Sequence, residues 1–131
     1  QLVERRPLKV FGDGTQLRDF TYVDDCAEAL LVAASADAAV GKAYNLGSTE
    51  VVSLRALAEI LVSLHPRGRF EIVPFPPERK AIDIGDYYGD FGLIARELGW
   101  SPRVDLRQGL RRTLDYYLAH GSHYWEPATG Q

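Results

Sequence analysis

Residues 12–19, Gly12-Asp13-Gly14-Thr15-Gln16-Leu17-Arg18-Asp19, hold the densest chemistry in the chain. The two glycines let backbone come close to a ligand, because no Cβ stands in the way. Arg18 offers a rigid fork of N–H donors that fits a phosphate. Asp19 can hold Arg18 in place, or pair elsewhere as a structural group. Residue types alone favour the plainer reading, a hairpin carrying a surface ion pair. A Gly-x-Gly pair without a third glycine and a following helix is no dinucleotide fingerprint.

The other reactive side chains read as structural. Cys26 is the one cysteine, so no intramolecular disulfide forms, and Asp24, Asp25 and Glu28 beside it disfavour a thiolate. His65, His120 and His123 show no metal-ligand spacing with it. His120 follows a predicted helix and complements its dipole. Asp83, Asp86 and Asp90 lack the spacing and closing glutamate of a calcium loop, so turn and cap roles are expected. No metal site is expected. Trp100 reads as a core anchor, and Tyr116-Tyr117 as helix residues partly packed and partly solvated.

The elements that must position these residues follow from pattern. Residues 8–11 are short, apolar and β-prone, and the Gly12-Asp13-Gly14 turn ends them. Residues 18–23 alternate and read as a second extended segment. Asp24 or Asp25 is expected to cap a helix, with Glu28 completing a capping-box-like pair. Residues 27–34 are Ala-rich and helical until Gly41 breaks the pattern. Residues 43–47 read as a buried strand. Ser53 caps a helix over 54–64, whose leucines recur at helical spacing, and Pro66 stops it. Residues 70–73 are a strand candidate, 74–77 a rigid connector and 78–89 a loop. Asp90 caps a short helix over 91–98 that Gly99 ends. The last helix covers 106–119, with Leu106, Leu110, Leu114 and Leu118 on one face, and Gly121 ends it.

Alternating strands and helices predict an α/β chain with a few short strands and about four helices. A sheet this small has exposed edges, which suits a piece that leans on another sheet. One domain over 1–122 and a disordered tail over 123–131 are expected. The 131 residues are 46% hydrophobic and 25% charged, ordinary globular values. A net charge of −3 gives no basic excess for nucleic acid or an anionic membrane. No apolar run approaches the roughly 20 residues of a membrane span. One cysteine fits a reducing cytoplasm. The chain has no methionine and begins at Gln1, which reads as processed, trimmed or cut from something longer.

Three runs together carry a resemblance. Residues 7–25 are similar to the segment that reads Pro-Leu-x-Val-Tyr-Gly-Asp-Gly-x-Gln-x-Arg-Asp-Phe-x-Tyr-Val-Asp-Asp in extended short-chain dehydrogenase/reductases, with Phe11 in place of the tyrosine. Tyr44-Asn45-Leu46-Gly47-Ser48 resembles the next signature of that family. Arg96-Glu97-Leu98-Gly99-Trp100-Ser101-Pro102, followed by Leu106 to Leu110, resembles the third. The family comprises NAD-dependent sugar-nucleotide epimerases of the UDP-glucose 4-epimerase type, 4,6-dehydratases and decarboxylases. The resemblance implies the C-terminal, substrate-binding part of an extended Rossmann-type reductase, gripping the nucleotide diphosphate of a UDP- or dTDP-sugar. By the same resemblance Leu8, Val10 and Phe11 lie against the base, Arg18 contacts the diphosphate, and Gln16 lies near phosphates or sugar. Arg79 or Lys80, both ahead of Asp83, supplies the second cation. Residues 82–88 look closer to the epimerase branch.

The family's glycine-rich cofactor loop is absent from these residues, and so is its Tyr-x-x-x-Lys pair. Tyr44, Tyr87, Tyr88, Tyr116, Tyr117 and Tyr124 have no lysine four residues on, and Tyr22 has Cys26 there. No catalytic residue and no cofactor-binding residue is therefore expected in this chain. NAD and an N-terminal Rossmann domain are implied for a longer parent, and a homodimer or swapped assembly for this chain. The alternative is a non-catalytic sugar-nucleotide-binding or assembly module of the same ancestry.

Overall fold

The computed structural model describes residues 1–125. Four short strands and five helices alternate along it: β1 (Leu8–Phe11), β2 (Leu17–Asp19), α1 (Val23–Ser35), β3 (Val51–Ser53), α2 (Leu54–Ser63), β4 (Phe70–Val73), α3 (Pro77–Lys80), α4 (Gly92–Leu98) and α5 (Leu106–His120). The class is the expected mixed α/β. The fifth helix is the single turn α3, where a connector and loop were expected. Pro77 at its first position has a fixed φ and needs no N–H there.

The strands form two separate pairs. β1 and β4 run parallel, Leu8 opposite Phe70 and Phe11 opposite Val73. β2 and β3 run antiparallel, Leu17 opposite Ser53 and Asp19 opposite Val51. Ser53 leaves β3 and caps α2, its hydroxyl accepting from the Ala56 N–H at 3.0 Å. Asp105 caps α5 in the same way, from the Gln108 N–H at 2.7 Å.

Two apolar clusters hold these pieces together. Leu2, Leu64 and Leu114 form one, with Leu8, Leu61 and Leu110 against it. Ala29, Ile94 and Trp100 form the other, with Tyr44, Leu46, Phe91 and Leu98. Trp100 is the expected core anchor. Leu118 departs from the expected face of α5 and stands 52% exposed.

Three local expectations are corrected. The second extended segment stops at Asp19, and α1 begins at Val23 with no side-chain cap. Asp25 is instead 3% exposed, its carboxylate accepting from the Val104 N–H at 3.0 Å and its carbonyl from the Trp100 Nε1–H at 3.1 Å. Glu28 pairs with Arg103 at 2.9 Å rather than closing a capping box. Residues 43–47 are not a strand. Tyr44 and Leu46 do face the Trp100 cluster, as alternation requires, but no described strand lies beside them to complete a ladder. The pairing with β2 goes to β3, which pattern did not reveal. Of the expected tail, Tyr124 and Trp125 turn back onto the Gly121 carbonyl, while residues 126–131 lie outside the described residues.

Candidate active-site hollow and family membership

The turn between β1 and β2 is built around Gly14. Its φ is +71°, and a Cβ there would stand 2.5 Å from Val10 Cγ1 and 3.1 Å from Arg55 Cβ. Only glycine fits both limits. Asp13 pins the turn by accepting from the Thr15 hydroxyl at 2.8 Å and the Thr15 N–H at 3.1 Å. Those bonds, the hydroxyl's first, hold its carboxyl below the usual range.

β2 then binds the polar stretch after α3. Asp86 accepts from the Leu17 N–H at 2.8 Å, and the Tyr87 N–H donates to the Leu17 carbonyl at 3.0 Å. This draws Arg18 and Asp83 together. Arg18 Nη1 donates to the Leu17 carbonyl at 2.7 Å and to the Gly85 carbonyl, while Nη2 lies 3.8 Å from Asp83 Oδ1. The side chain is 21% exposed. Its Nη1 edge is thus spent on backbone, which fixes the guanidinium and leaves Nε and Nη2 for another acceptor. Asp19 takes the second of its two readings. Its Oδ2 accepts from the Ser48 N–H at 3.0 Å and the Gly89 N–H at 3.2 Å, tying two of the sequence signatures together.

Beside this lies a hollow of about 240 Å³. Leu8, Val10 and Phe11 of β1, Leu54, Leu57 and Leu61, Phe75, Gln16 and Asp83 wall it. Phe11 and Phe75 rings meet at 5.8 Å, and the Arg79 guanidinium sits 5.1 Å from the Phe11 ring centre. Gln16 Nε2 donates to Asp83 at 3.4 Å. The structure therefore gathers Leu8, Val10, Phe11, Gln16, Arg18, Arg79 and Asp83 in one neighbourhood. Lys80 is exposed and enters no side-chain hydrogen bond or ion pair among the described residues. Sequence reasoning missed Phe75, hidden in a stretch read as a spacer. Its signal was an aromatic held between Pro74 and Pro76. It also missed the Gly85 carbonyl, which no side-chain motif announces.

Larger hollows exist elsewhere. One of about 290 Å³ lies between Tyr22 and Gly109, and one of about 410 Å³ lies between Val3–Arg5 and Trp125. A third, of about 320 Å³, lies between Leu2 and Leu110, and none of the three is lined by Gln16 or Asp83. Burial, and then the Asp25 charge, pushes the Cys26 thiol up, which is wrong for a nucleophile. No cluster of three metal-ligating groups exists among the described residues, and no described helix is long and apolar enough to cross a membrane. The Gly12–Gly14 turn joins strand to strand. It offers no helix N-terminus to a pyrophosphate, so it does not fit a dinucleotide cofactor.

Known proteins resemble this chain in sequence and in fold. Residues 1–47 match the model of the NAD dependent epimerase/dehydratase family. The chain is 36% identical to the dTDP-glucose 4,6-dehydratase of Neisseria meningitidis, over 95% of this chain and 37% of that protein. It is 34% identical to the UDP-glucuronate 4-epimerase of Thermodesulfobacterium geofontis, over 88% of this chain and 34% of that protein. Its fold superposes on an epimerase from Methanothermobacter thermautotrophicus with a TM-score of 0.82 and 27% identity, covering 93% of this chain and 36% of the other. The chain spans little more than a third of the length of the relatives it matches. Signature residues, fold and relatives converge, and the chain belongs to the NAD dependent epimerase/dehydratase family.

Proposed function

We propose that this chain is the nucleotide-diphosphate-holding, C-terminal part of a nucleotide-sugar epimerase or dehydratase. The observation that carries the reading is one largely apolar, aromatic-walled hollow with a guanidinium beside two of its wall residues, Arg18 near Asp83 and Arg79 over Phe11. Apolar walls and ring faces suit a base, and guanidinium forks suit the phosphates. Arg18 approaches the diphosphate with its fixed Nε and Nη2 edge, so little of its rotamer freedom is lost on binding. Arg79, already docked on Phe11, provides the second cation in preference to Lys80. Asp83 balances the Arg18 charge until the ligand arrives. The named substrates of the relatives, dTDP-glucose, UDP-glucuronate and GDP-mannose, are all nucleoside-diphosphate sugars and support that ligand class.

The chemistry on the sugar belongs to the parent's remaining length in this reading. NAD bound there supplies hydride transfer at the sugar, and the residues described here orient the substrate for it. Titration calorimetry of the full chain with UDP and dTDP tests the grip. We expect saturable binding that weakens about tenfold or more in Arg18→Ala, the loss of a charge-assisted pair. Absence of binding at millimolar nucleotide, or identical affinity in the variant, would sink the reading.

A further inference from the structure

The hollow of about 410 Å³ shares no lining residue with the one beside Gly14. Its lining comes from Val3–Arg5, from the end of α5 and from Trp125. Arg5 sits in a turn that suits another residue. The Arg5 N–H donates to the Leu2 carbonyl and the Arg6 N–H to the Gln1 carbonyl, both at 2.9 Å. That pair of bonds places a left-handed residue at position 5, where glycine is the usual occupant. Arg5 holds it at a φ of 60°, alone among the described non-glycine residues. A glycine would close the same turn without the steric cost of a Cβ. Nothing inside the chain offsets this, since the exposed guanidinium enters no hydrogen bond or ion pair among the described residues. A strained residue whose unpaired cation lines a hollow points to a ligand.

The rest of the lining narrows the ligand's kind. The Trp125 and Tyr124 N–H groups donate to the Gly121 carbonyl at 3.2 and 2.9 Å, which folds the chain back. Gly121 admits the indole, because a Cβ there would stand 2.9 Å from Trp125 Cζ2. The indole and the Tyr117 ring lie 5.6 Å apart and offer apolar faces with polar edges. Polar groups accompany these faces. Glu4 Oε2 accepts from Arg6 Nε at 2.9 Å, which balances the carboxylate's charge and leaves Oε1 as a spare acceptor. Ser122 adds a hydroxyl that both donates and accepts. A neutral sugar leaves Arg5 without an anion. An aromatic acid leaves Glu4 Oε1 and Ser122 without hydroxyl partners. A hydroxylated ring bearing a carboxylate serves all of them. Its C–H face lies on the aromatic rings, its hydroxyls reach Glu4 and Ser122, and its carboxylate meets the guanidinium.

We propose that this hollow is a second ligand site, for an acidic sugar of the hexuronate class, with Arg5 reading the carboxylate. It uses no residue of the Arg18 hollow and is independent of the nucleotide reading.

Tryptophan fluorescence of the full chain tests it, with D-glucuronate, D-glucose and benzoate as probes. Trp125 lines the hollow, whereas Trp100 is buried. Glucuronate is expected to give a saturable change at millimolar concentration, with glucose and benzoate each about tenfold weaker, roughly one charge-assisted bond or the hydroxyl contacts. Arg5→Gly is expected to bind glucuronate only as weakly as glucose while melting no lower than the native chain, because glycine relieves the left-handed strain. No saturable response to glucuronate, or equal affinity for glucose and glucuronate, overturns the proposal without recourse to any variant. Benzoate binding as tightly as glucuronate overturns the sugar assignment. An Arg5→Gly chain that keeps the native affinity shows that the carboxylate is read elsewhere, which also overturns it. So does a variant that melts well below the native chain, because the turn itself then requires the arginine.

Discussion

Asp25 shows how a residue's type can be read correctly and its task missed. An aspartate just inside a helix start is the ordinary material of a cap. Here helix α1 begins without one, and the carboxylate, 3% exposed, reaches across to the Val104 N–H at 3.0 Å. Removing it leaves a donor unsatisfied between α4 and α5. Asp25→Ala is expected to cost about 1–3 kcal/mol in chemical denaturation, the penalty of orphaning a buried backbone group. A cost near zero would mean that water replaces the carboxylate. The same limit applies at the hollow. Arg18 stood out in the sequence as a guanidinium fork after a glycine turn, in a run that resembles a family signature. Its real partners, the Leu17 and Gly85 carbonyls, are backbone atoms that no motif lists. Phe75 was illegible for a related reason. Its role comes from facing Phe11 at 5.8 Å across a strand pair formed by distant residues.

At the scale of elements, local signals did well where local physics decides. Ser53 caps α2, Gly99 ends α4 at a φ of 70°, and β1 and β4 sit where β-prone runs predict them. Residues 43–47 failed because a strand is a property of two segments. Their alternation is real: Tyr44 and Leu46 pack on the Trp100 cluster, and Lys42 and Tyr44 bond to Glu97 at 2.8 and 2.6 Å. Those two bonds, that of Lys42 first, hold the Glu97 carboxyl below its usual range. What is lacking is a ladder partner among the described residues. The β1–β2 turn makes the opposite case, in which one residue decides an element. Gly14 combines a left-handed φ with a Cβ position 2.5 Å from Val10 Cγ1. Gly14→Ala adds left-handed strain to overpacking, about 2–4 kcal/mol in all, and should lower Tm by about 10 °C. Because the turn also sets Gln16 and Arg18, nucleotide affinity should fall with it. A variant that melts like the native chain would show that the turn is soft enough to move, and that its geometry does not position the arginine.

Helix α1 leaves apolar side chains exposed. Val23, Leu30 and Leu31 of α1 are 66%, 69% and 71% exposed, and Val40 just beyond is 80% exposed. Both sheets are two-stranded; Asp86 and Tyr87 already bind the second side of β2, but no described strand pairs with the second edge of β1, β3 or β4. Isolated strand pairs of this size are marginal in water and offer templates for pairing. A net charge of −3 is a weak brake on association. Relatives of nearly three times the length have more chain with which to cover such surface, whereas this chain in isolation has only itself. Self-association is therefore expected, seen as a dimer or larger species in sedimentation velocity that grows with concentration. Leu30→Glu with Leu31→Glu should shift it toward monomer while leaving the helical signal of α1 in place, because both residues point to solvent in the folded chain. Charge on that face is cheap if it is open to water, and costly only if a second copy covers it. A chain that stays monomeric at high concentration before any substitution would mean that the apolar face of α1 and the open strand edges are too small to drive pairing.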